Sequence, residues 1–340
     1  MTRAWPVPLV LLAALLAPSS ARPDAAVGRA EPEPSSAGAA PLPVRNLSPL
    51  AQVLGLPHAQ GERVAARLQS AITVEHSNNF TADEAGETAV VFDGSTTVTT
   101  LGLHGGFGER WEWAIEIPYV HHGGGFTDGF IEDYHDLFGF PDGDRDEAPR
   151  DRIDYRMAAA GHAYLNVTDR ESGIGDLRLQ LGHVLHQTTG RQLLARAMIE
   201  LPTGDEETLT GSGSTDASFW LELVEARWLA RWNATVTAAG GVTFIGDELV
   251  PDQRSAVGTA HLGVHVPVGR RVTLRGQLDG HSELVQSDLE PFRGAALLGT
   301  LGATIALSSA VQLDLGLVED LTPERAPDVV FLIGLRVPFR

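Results

Sequence analysis

Charged side chains of both signs recur at every second position in several stretches of this 340-residue chain. Arg178 alternates with leucines in one such stretch, and Arg196 and Glu200 alternate with alanine and isoleucine in the next. Successive side chains of a β-strand point to opposite faces, so these charges share a face that opposes an apolar one. The full set is Arg67, Glu75, Glu112, Glu116, Arg178, Arg196, Glu200, Arg275, Asp279, Asp314 and Arg336.

Two kinds of chemistry fit such a charged face. Opposite charges that face a common hydrated interior can pair across strands and satisfy one another. The same side chains can also line a selective path for a small polar or charged solute. The sequence favours neither interpretation over the other.

A second group of side chains has the types that bind transition metals. Imidazole and carboxylate groups are suitable ligands, and the group comprises His121, His122, Asp133, His135 and Asp136. It has no closed ligand spacing such as His-Glu-x-x-His, and a solvated acidic loop explains it equally well. We therefore predict no metal site and no cofactor.

The charged faces must be positioned by antiparallel strands. Residues 177–185 and 192–201 alternate with period two on either side of a Thr-Thr-Gly turn, which is typical of a β-hairpin. The pattern recurs along the chain, and tight turns alternate with longer polar connections. Since one face of each strand is apolar and the other polar, we predict an all-β fold. Its class is a transmembrane antiparallel β-barrel of about twelve strands with one long external loop.

Tryptophans mark one end of the predicted strands. Trp111, Trp113, Trp228 and Trp232 lie beside predicted short turns, as in the aromatic girdle of a membrane barrel. The last predicted strand ends in Phe339, which resembles the aromatic-ended terminal strand of outer-membrane barrels. A soluble β-sandwich accounts for the alternation but accounts less readily for the tryptophans.

Two connections are predicted to be long. A polar loop is expected over residues 77–86, and the external loop over residues 121–173, which includes residues 155–169. Apolar residues within the external loop recur at helical spacing, so we predict a short amphipathic helix over residues 130–138. The predicted lid or constriction at the barrel mouth comprises Phe126, Phe130, Ile131, Tyr134, Leu137 and Phe138.

The N-terminal part of the chain is predicted to precede the barrel. A short apolar run after Arg3 ends in small residues, which is typical of a secretory signal peptide over residues 1–21. A Pro- and Ala-rich stretch predicts a disordered linker over residues 22–41. Residues 42–61 are apolar but interrupted by proline, so we expect an ordered periplasmic lead-in, which can fold into the barrel mouth, before the barrel at residues 62–340.

Composition restricts the partners. The chain has no Cys and no Lys. Its 44 Asp and Glu residues outnumber its 25 Arg residues, which gives a formal net charge of −19. Because nothing resembles a basic stripe, nucleic-acid binding is not expected. The predicted partners are outer-membrane lipid, the barrel-insertion machinery and a small-molecule solute.

The chain from Leu42 to Phe339 resembles a family of proteobacterial outer-membrane proteins known only as a domain of unknown function. The residues that carry the resemblance are Arg45-Asn46, Ser48-Pro49-Leu50, Gly124-Gly125-Phe126, Phe130-Ile131-Glu132, His135, Phe138-Gly139, Gly173-Ile174-Gly175-Asp176 and Pro202-Thr203-Gly204-Asp205. The last two motifs are also similar to barrels of the meta-pathway transporter group. The resemblance implies the bacterial outer membrane and implies no activity.

Three functional hypotheses follow. The first is a passive channel or transporter for a small solute in the outer membrane. The second is a structural or adhesive surface barrel with a plugged lumen. The third is a membrane-face hydrolase, although no Gly-x-Ser-x-Gly motif is present and we predict that the protein is not an enzyme.

Overall fold

The computed structural model describes residues 40–64, 68–124 and 152–339. The predicted signal peptide, most of the predicted linker, Arg67 and all six predicted lid residues lie outside these ranges.

Within the described residues the chain is almost entirely β-structure, interrupted by single 3-10 turns. The strands are β1 Leu68–Ala85, β2 Thr88–Phe107, β3 Trp111–Gly123, β4 Asp154–Ala159, β5 His162–Val167, β6 Glu171–Ile174, β7 Leu177–Thr188, β8 Arg191–Leu201, β9 Asp216–Leu229, β10 Ala234–Phe244, β11 Ala256–Val268, β12 Val272–His281, β13 Ala296–Ala306, β14 Gln312–Asp320 and β15 Val329–Phe339. No helix in these ranges is long and apolar enough to span a membrane.

Twelve of the strands form a closed antiparallel ring. Each of β1, β2, β3 and β7 to β15 pairs with the next, and β15 pairs with β1 from Leu68 opposite Phe339 to Asn78 opposite Val329. Closure leaves no edge in the ring with unpaired backbone groups, which is the condition for strands to cross a membrane. The prediction of an antiparallel barrel of about twelve strands is therefore confirmed.

The outward face of the ring is apolar. Side chains at mid-strand such as Leu181, Leu221, Leu262, Leu301 and Ile333 are about half exposed. An apolar surface costs about 25 cal/mol per Å² to hydrate, and lipid tails remove that cost. The outer surface is therefore that of a membrane barrel.

The two ends of the barrel differ in their connections. Strands β2 and β3, β7 and β8, and β11 and β12 are joined by tight turns at one end, where Trp111, Trp228 and Trp232 are exposed. The longer connections 202–215, 245–255 and 282–295 lie at the other end. By the usual rule for outer-membrane barrels, the end with tight turns is periplasmic and the other is external.

The external side contains more strand structure than predicted. The predicted loop over residues 77–86 is wrong, because β1 continues to Ala85 and pairs with β2 along its length. Part of the predicted loop 121–173 is also ordered, since β3 extends to Gly123 and β4 to β6 follow. Strand β4 pairs with β2 and with β5, and β6 pairs with β3. These short strands extend the wall without joining the ring, in agreement with the strand count.

Residues 40–64, which we call the lumenal segment, lie inside the barrel. Leu42, Leu47, Leu50 and Leu54 are each at most 2% exposed. The prediction of a periplasmic lead-in over residues 42–61 is corrected accordingly. The physical reason is that inward side chains of the wall satisfy the polar backbone of the segment, as described below.

Candidate functional site in the barrel lumen

The lumenal segment rises along one side of the lumen and descends along the other. The Leu42 amide donates to Gln277 Oε1 at 2.6 Å, about halfway along β12. The amide group of Asn46 donates to the carbonyl of Arg325 at 2.8 Å in an external loop. From Gly55 the chain returns toward the periplasmic end, where the Val64 amide donates to Glu112. The described segment thus runs from mid-barrel to the external end and back to the periplasmic end.

Carboxylates on the wall accept the backbone N–H groups of the descending half. Gly55 N donates to Asp216 Oδ2 at 2.8 Å, and Val64 N donates to Glu112 Oε2 at 2.8 Å. Gln60 N donates to Glu222 at 3.1 Å, and Gly61 N donates to the same carboxylate. Hydrogen bonds to ionised acceptors are stronger than neutral ones. The wall therefore binds the main chain of the descending half through its carboxylates.

Two side chains of the segment place positive charge or a proton donor against further wall carboxylates. The guanidinium of Arg45 lies 3.8 Å from Glu75 and 3.7 Å from Glu116. His58 Nε2 lies 3.1 Å from Glu116 Oε1, within hydrogen-bond distance. Both glutamates are buried, so their charge depends on these neighbours.

Among the described residues, the wall contributes Arg178 and Arg196 on this side of the lumen. Arg196 donates to Glu112 at 2.7 Å, to Glu222, and to the carbonyl of Gly61 at 2.8 Å. Arg178 donates to Glu200 at 2.6 Å. Each charged group in these buried ion pairs has an oppositely charged partner, which offsets the cost of removing the group from water. Arg196 in particular holds wall and segment together.

The opposite wall carries a hydrogen-bonded chain that needs no contribution from the segment. Arg275 can only donate, so the Nδ1 atom of His265 accepts at 3.0 Å and its Nε2–H donates to Thr237 at 2.9 Å. The Thr237 hydroxyl then donates to His261 Nε2 at 2.9 Å, and His261 Nδ1–H donates to Asp279 at 2.7 Å. This order fixes His265 as neutral, because its Nδ1 accepts from a guanidinium that can only donate.

The same wall is balanced in charge. Arg336 pairs with Asp314 at 2.6 Å, and Arg275 donates to Thr304 at 2.7 Å. Thr304 in turn donates to Asp314. Two arginines thus face Asp279 and Asp314.

Apolar side chains of the segment and the barrel pack together at the external end of the lumen. Leu50, Val53 and Leu54 of the segment belong to a buried cluster with side chains of β2, β4 and the external loops. Leu209 is fully buried there with a φ of 53°, a conformation that costs a non-glycine residue about 1 kcal/mol or more. Its carbonyl accepts hydrogen bonds from Gln52 at 2.7 Å and from His122 at 2.9 Å. The segment therefore helps to hold a strained external loop in place.

The motifs Gly173–Asp176 and Pro202–Asp205, for which a similarity to meta-pathway barrels is predicted, pack against each other at this end. Asp176 accepts hydrogen bonds from the amides of Gly204 at 2.8 Å and Ser212 at 2.7 Å. Thr203 donates to the carbonyl of Gly175 at 2.7 Å. A Cβ atom at Gly204 would lie 2.7 Å from the backbone of the same loop. The motifs thus have a structural role, and their link to that transporter group stays a prediction.

The predicted lumenal residues within the described ranges all lie on inward-facing positions. The structure brings Glu75, Glu112, Glu116, Arg178, Arg196 and Glu200 together around the segment, and Arg275, Asp279, Asp314 and Arg336 on the opposite wall. Sequence reasoning missed Arg45, His58, Glu222, His261 and His265. Glu222, His261 and His265 lie between apolar neighbours, so strict alternation identifies them in retrospect, whereas nothing local marks Arg45 or His58.

Comparisons with known proteins agree with the fold. A family model described as "Protein of unknown function (DUF3187)" matches residues 27–339. No curated protein sequence matches the chain.

Solved structures with a similar fold are outer-membrane barrels. The COG4313 outer membrane channel from Pseudomonas putida F1 superposes with a TM-score of 0.52 at 17% identity, covering 84% of this chain and 98% of that chain. The KdgM porin gives 0.43 at 7% identity, with 79% and 99% covered. The CymD monoaromatic hydrocarbon channel gives 0.42 at 10% identity, with 82% and 91% covered. The fold is that of an outer-membrane β-barrel, and with its apolar exterior it places the protein in the bacterial outer membrane.

Proposed function

The chain belongs to the DUF3187 family of proteins of unknown function, and we propose that it is an outer-membrane channel for a small solute whose pore is closed by its own lumenal segment. The proposal combines a membrane barrel with a polar, charged interior. Such interiors line the water-filled paths of porin-type barrels.

One observation carries the proposal: the ring of strands is complete without the segment. Every ring strand is paired on both sides by another ring strand. Within the described residues, the hydrogen bonds between the segment and the barrel each involve at least one side chain, as at Gly55, Gln60 and Val64. Displacing the segment therefore breaks no backbone hydrogen bond between the strands of the barrel. What remains is a closed wall around a polar path.

A second candidate is a structural surface barrel that never opens. The apolar cluster around Leu50 and Leu54 favours it, because removing such side chains from a packed site is costly. The two candidates differ in whether the segment leaves the lumen while the barrel stays intact.

The close approach of Gly55 to the wall gives a direct test in the full-length chain. A Cβ atom at Gly55 would lie 2.7 Å from Asp216 Cβ and 3.3 Å from Glu200 Cβ. The segment of the Gly55→Val variant therefore cannot keep its present position against the wall. We expect Gly55→Val to raise channel-opening frequency in planar bilayers at least about tenfold, equivalent to about 1.4 kcal/mol.

The matched control is Gly276→Ala, where the added Cβ meets open space. It is expected to behave as wild type. Absence of conductance in the wild type and in a correctly folded Gly55→Val variant would overturn the channel and favour the plugged structural barrel.

A further inference from the structure

The lumenal segment holds the place that a solute would occupy, and its contacts reveal what the wall binds. Wall carboxylates contact it at five positions in the described residues: Glu75, Glu112, Glu116, Asp216 and Glu222. Every group of the segment that meets them is a donor or a cation. These groups are four backbone amides, the Arg45 guanidinium and the His58 imidazole.

Departure of the segment leaves this side of the lumen with excess negative charge. Glu75 and Glu116 lose Arg45, the cation in contact with both. Arg178 and Arg196 remain on the wall, and they already pair with Glu200, Glu112 and Glu222. The opposite wall stays balanced by its own arginines, so it does not offset the excess.

Carboxylates also gather at one point of the described external rim, where Arg293 pairs with one of them, Glu290, at 2.9 Å. Asp83, Glu290 and Glu324 converge there, and the amide of Glu290 donates to Asp83 at 2.8 Å. Burial raises the pKa of Glu324 above its usual value, and the carboxylates of Glu290 and Asp83 add to the rise. A lumen with excess negative charge concentrates cations along the path.

We propose that the open lumen admits cationic solutes and solutes rich in N–H donors, such as those bearing ammonium or guanidinium groups, in preference to anions. The inference rests on the proposed channel function and assigns its solute class. Rings of Asp and Glu select cations in other channels by the same electrostatics. The segment acts as an internal substitute for such a solute, since it presents a guanidinium and several amide donors to the same carboxylates.

Charge preference is measured first as a reversal potential. The full-length Gly55→Val variant is placed in a planar bilayer under a KCl gradient. We expect K⁺ to permeate about tenfold better than Cl⁻. Adding Glu75→Gln and Glu116→Gln is expected to reduce that ratio several-fold, because these carboxylates lose their cationic partner when the segment leaves.

A second measurement does not depend on conductance. The chain has no cysteine, so Thr100→Cys introduces a single thiol at an inward position whose hydroxyl is buried and has no hydrogen-bond partner among the described residues. Its labelling by cationic and by sulfonated anionic methanethiosulfonate reagents is compared with that of Ser309→Cys, which lies exposed in a periplasmic turn. We expect the cationic reagent to be favoured about tenfold at position 100 after normalisation to position 309.

The outcomes separate the two proposals. Equal or anion-favoured permeation and labelling, with conductance present, would overturn cation preference and leave the channel in place. Failure of both reagents to reach Thr100→Cys in the Gly55→Val variant, together with no conductance, would overturn both.

Discussion

Arg45 connects the lumenal segment to two carboxylates of the barrel wall. Its guanidinium lies between Glu75 and Glu116, and its side chain is 8% exposed. At 3.7 and 3.8 Å these contacts are attractive but longer than hydrogen bonds. The two buried glutamates nevertheless have no other guanidinium within ion-pair distance in the described residues. Removing the charge of Arg45 therefore destabilises the bound segment more than removing one partner of a solvent-exposed ion pair would.

Arg45→Met keeps the length of the side chain and removes the charge. We expect it to weaken the seating of the segment by about 1 to 3 kcal/mol, the cost of leaving buried charged groups without partners. Channel-opening frequency in planar bilayers should rise about tenfold or more. Arg63→Met is the matched control, since the Arg63 side chain donates to the exposed carbonyl of Trp111 at the periplasmic end. Equal effects of the two substitutions would contradict the role of Arg45.

The segment as an element is held in two different ways along its length. Its descending half is fixed by polar contacts such as those of Gln60 and Gly61 with Glu222. Its external bend is fixed by apolar burial of Leu50 and Leu54. Polar contacts can exchange with water or a solute, whereas the apolar bend has no such replacement. The bend is therefore the main barrier to release.

Leu54→Ala tests that barrier. Large-to-small substitutions in a packed core cost about 2 to 5 kcal/mol, so the displaced population should rise about thirtyfold or more. Limited trypsin digestion reports it, because cleavage after buried Arg45 requires the segment to leave the lumen. The lipid-facing Leu301→Ala should leave the cleavage rate unchanged. No acceleration in Leu54→Ala would show that the bend does not control release.

The sequence predicted this element less well than the strands. Alternation placed Arg178, Arg196 and Glu200 on inward positions, because a lipid-facing strand must alternate. The segment has no such period, and its partners Glu222 and Gln277 lie far along the chain. The sequence predicts a loop over residues 77–86 because polar residues outnumber apolar ones there and neither face of the stretch is continuously apolar.

At the scale of the whole molecule, the barrel is defined by its two faces and its closure. The outward side chains are apolar at mid-strand and aromatic at the periplasmic end. The predicted number of strands is correct, although the β1–β2 connection at the external end is a tight turn and not the long loop that the alternation of connections predicts. Neither pattern carries information on what fills the lumen.

The depth of a lipid-facing position should determine the cost of placing charge there. Leu301 lies mid-strand on β13, and Leu307 lies in the following periplasmic turn, both about half exposed. We expect Leu301→Arg to destabilise the barrel by about 2 to 4 kcal/mol and Leu307→Arg by about 0 to 1 kcal/mol. Denaturant unfolding in lipid vesicles measures both. Equal costs would contradict the assigned membrane position.

The central claim, that residues 40–64 close a pore by occupying it, is tested most directly by fixing the segment in place. Gln60 and Gln180 exchange two side-chain hydrogen bonds at 2.6 and 2.9 Å, so their side chains meet between segment and wall. The chain has no cysteine, so Gln60→Cys with Gln180→Cys is bridged specifically by a short, reducible bifunctional thiol reagent.

Conductance of this full-length double variant is recorded before bridging, after bridging and after reduction, with Gln60→Cys alone as control. We predict channel openings that disappear on bridging and return on reduction, while the single variant stays active throughout. Openings that persist in the bridged protein would contradict the account, since the pore would then conduct with the segment in place.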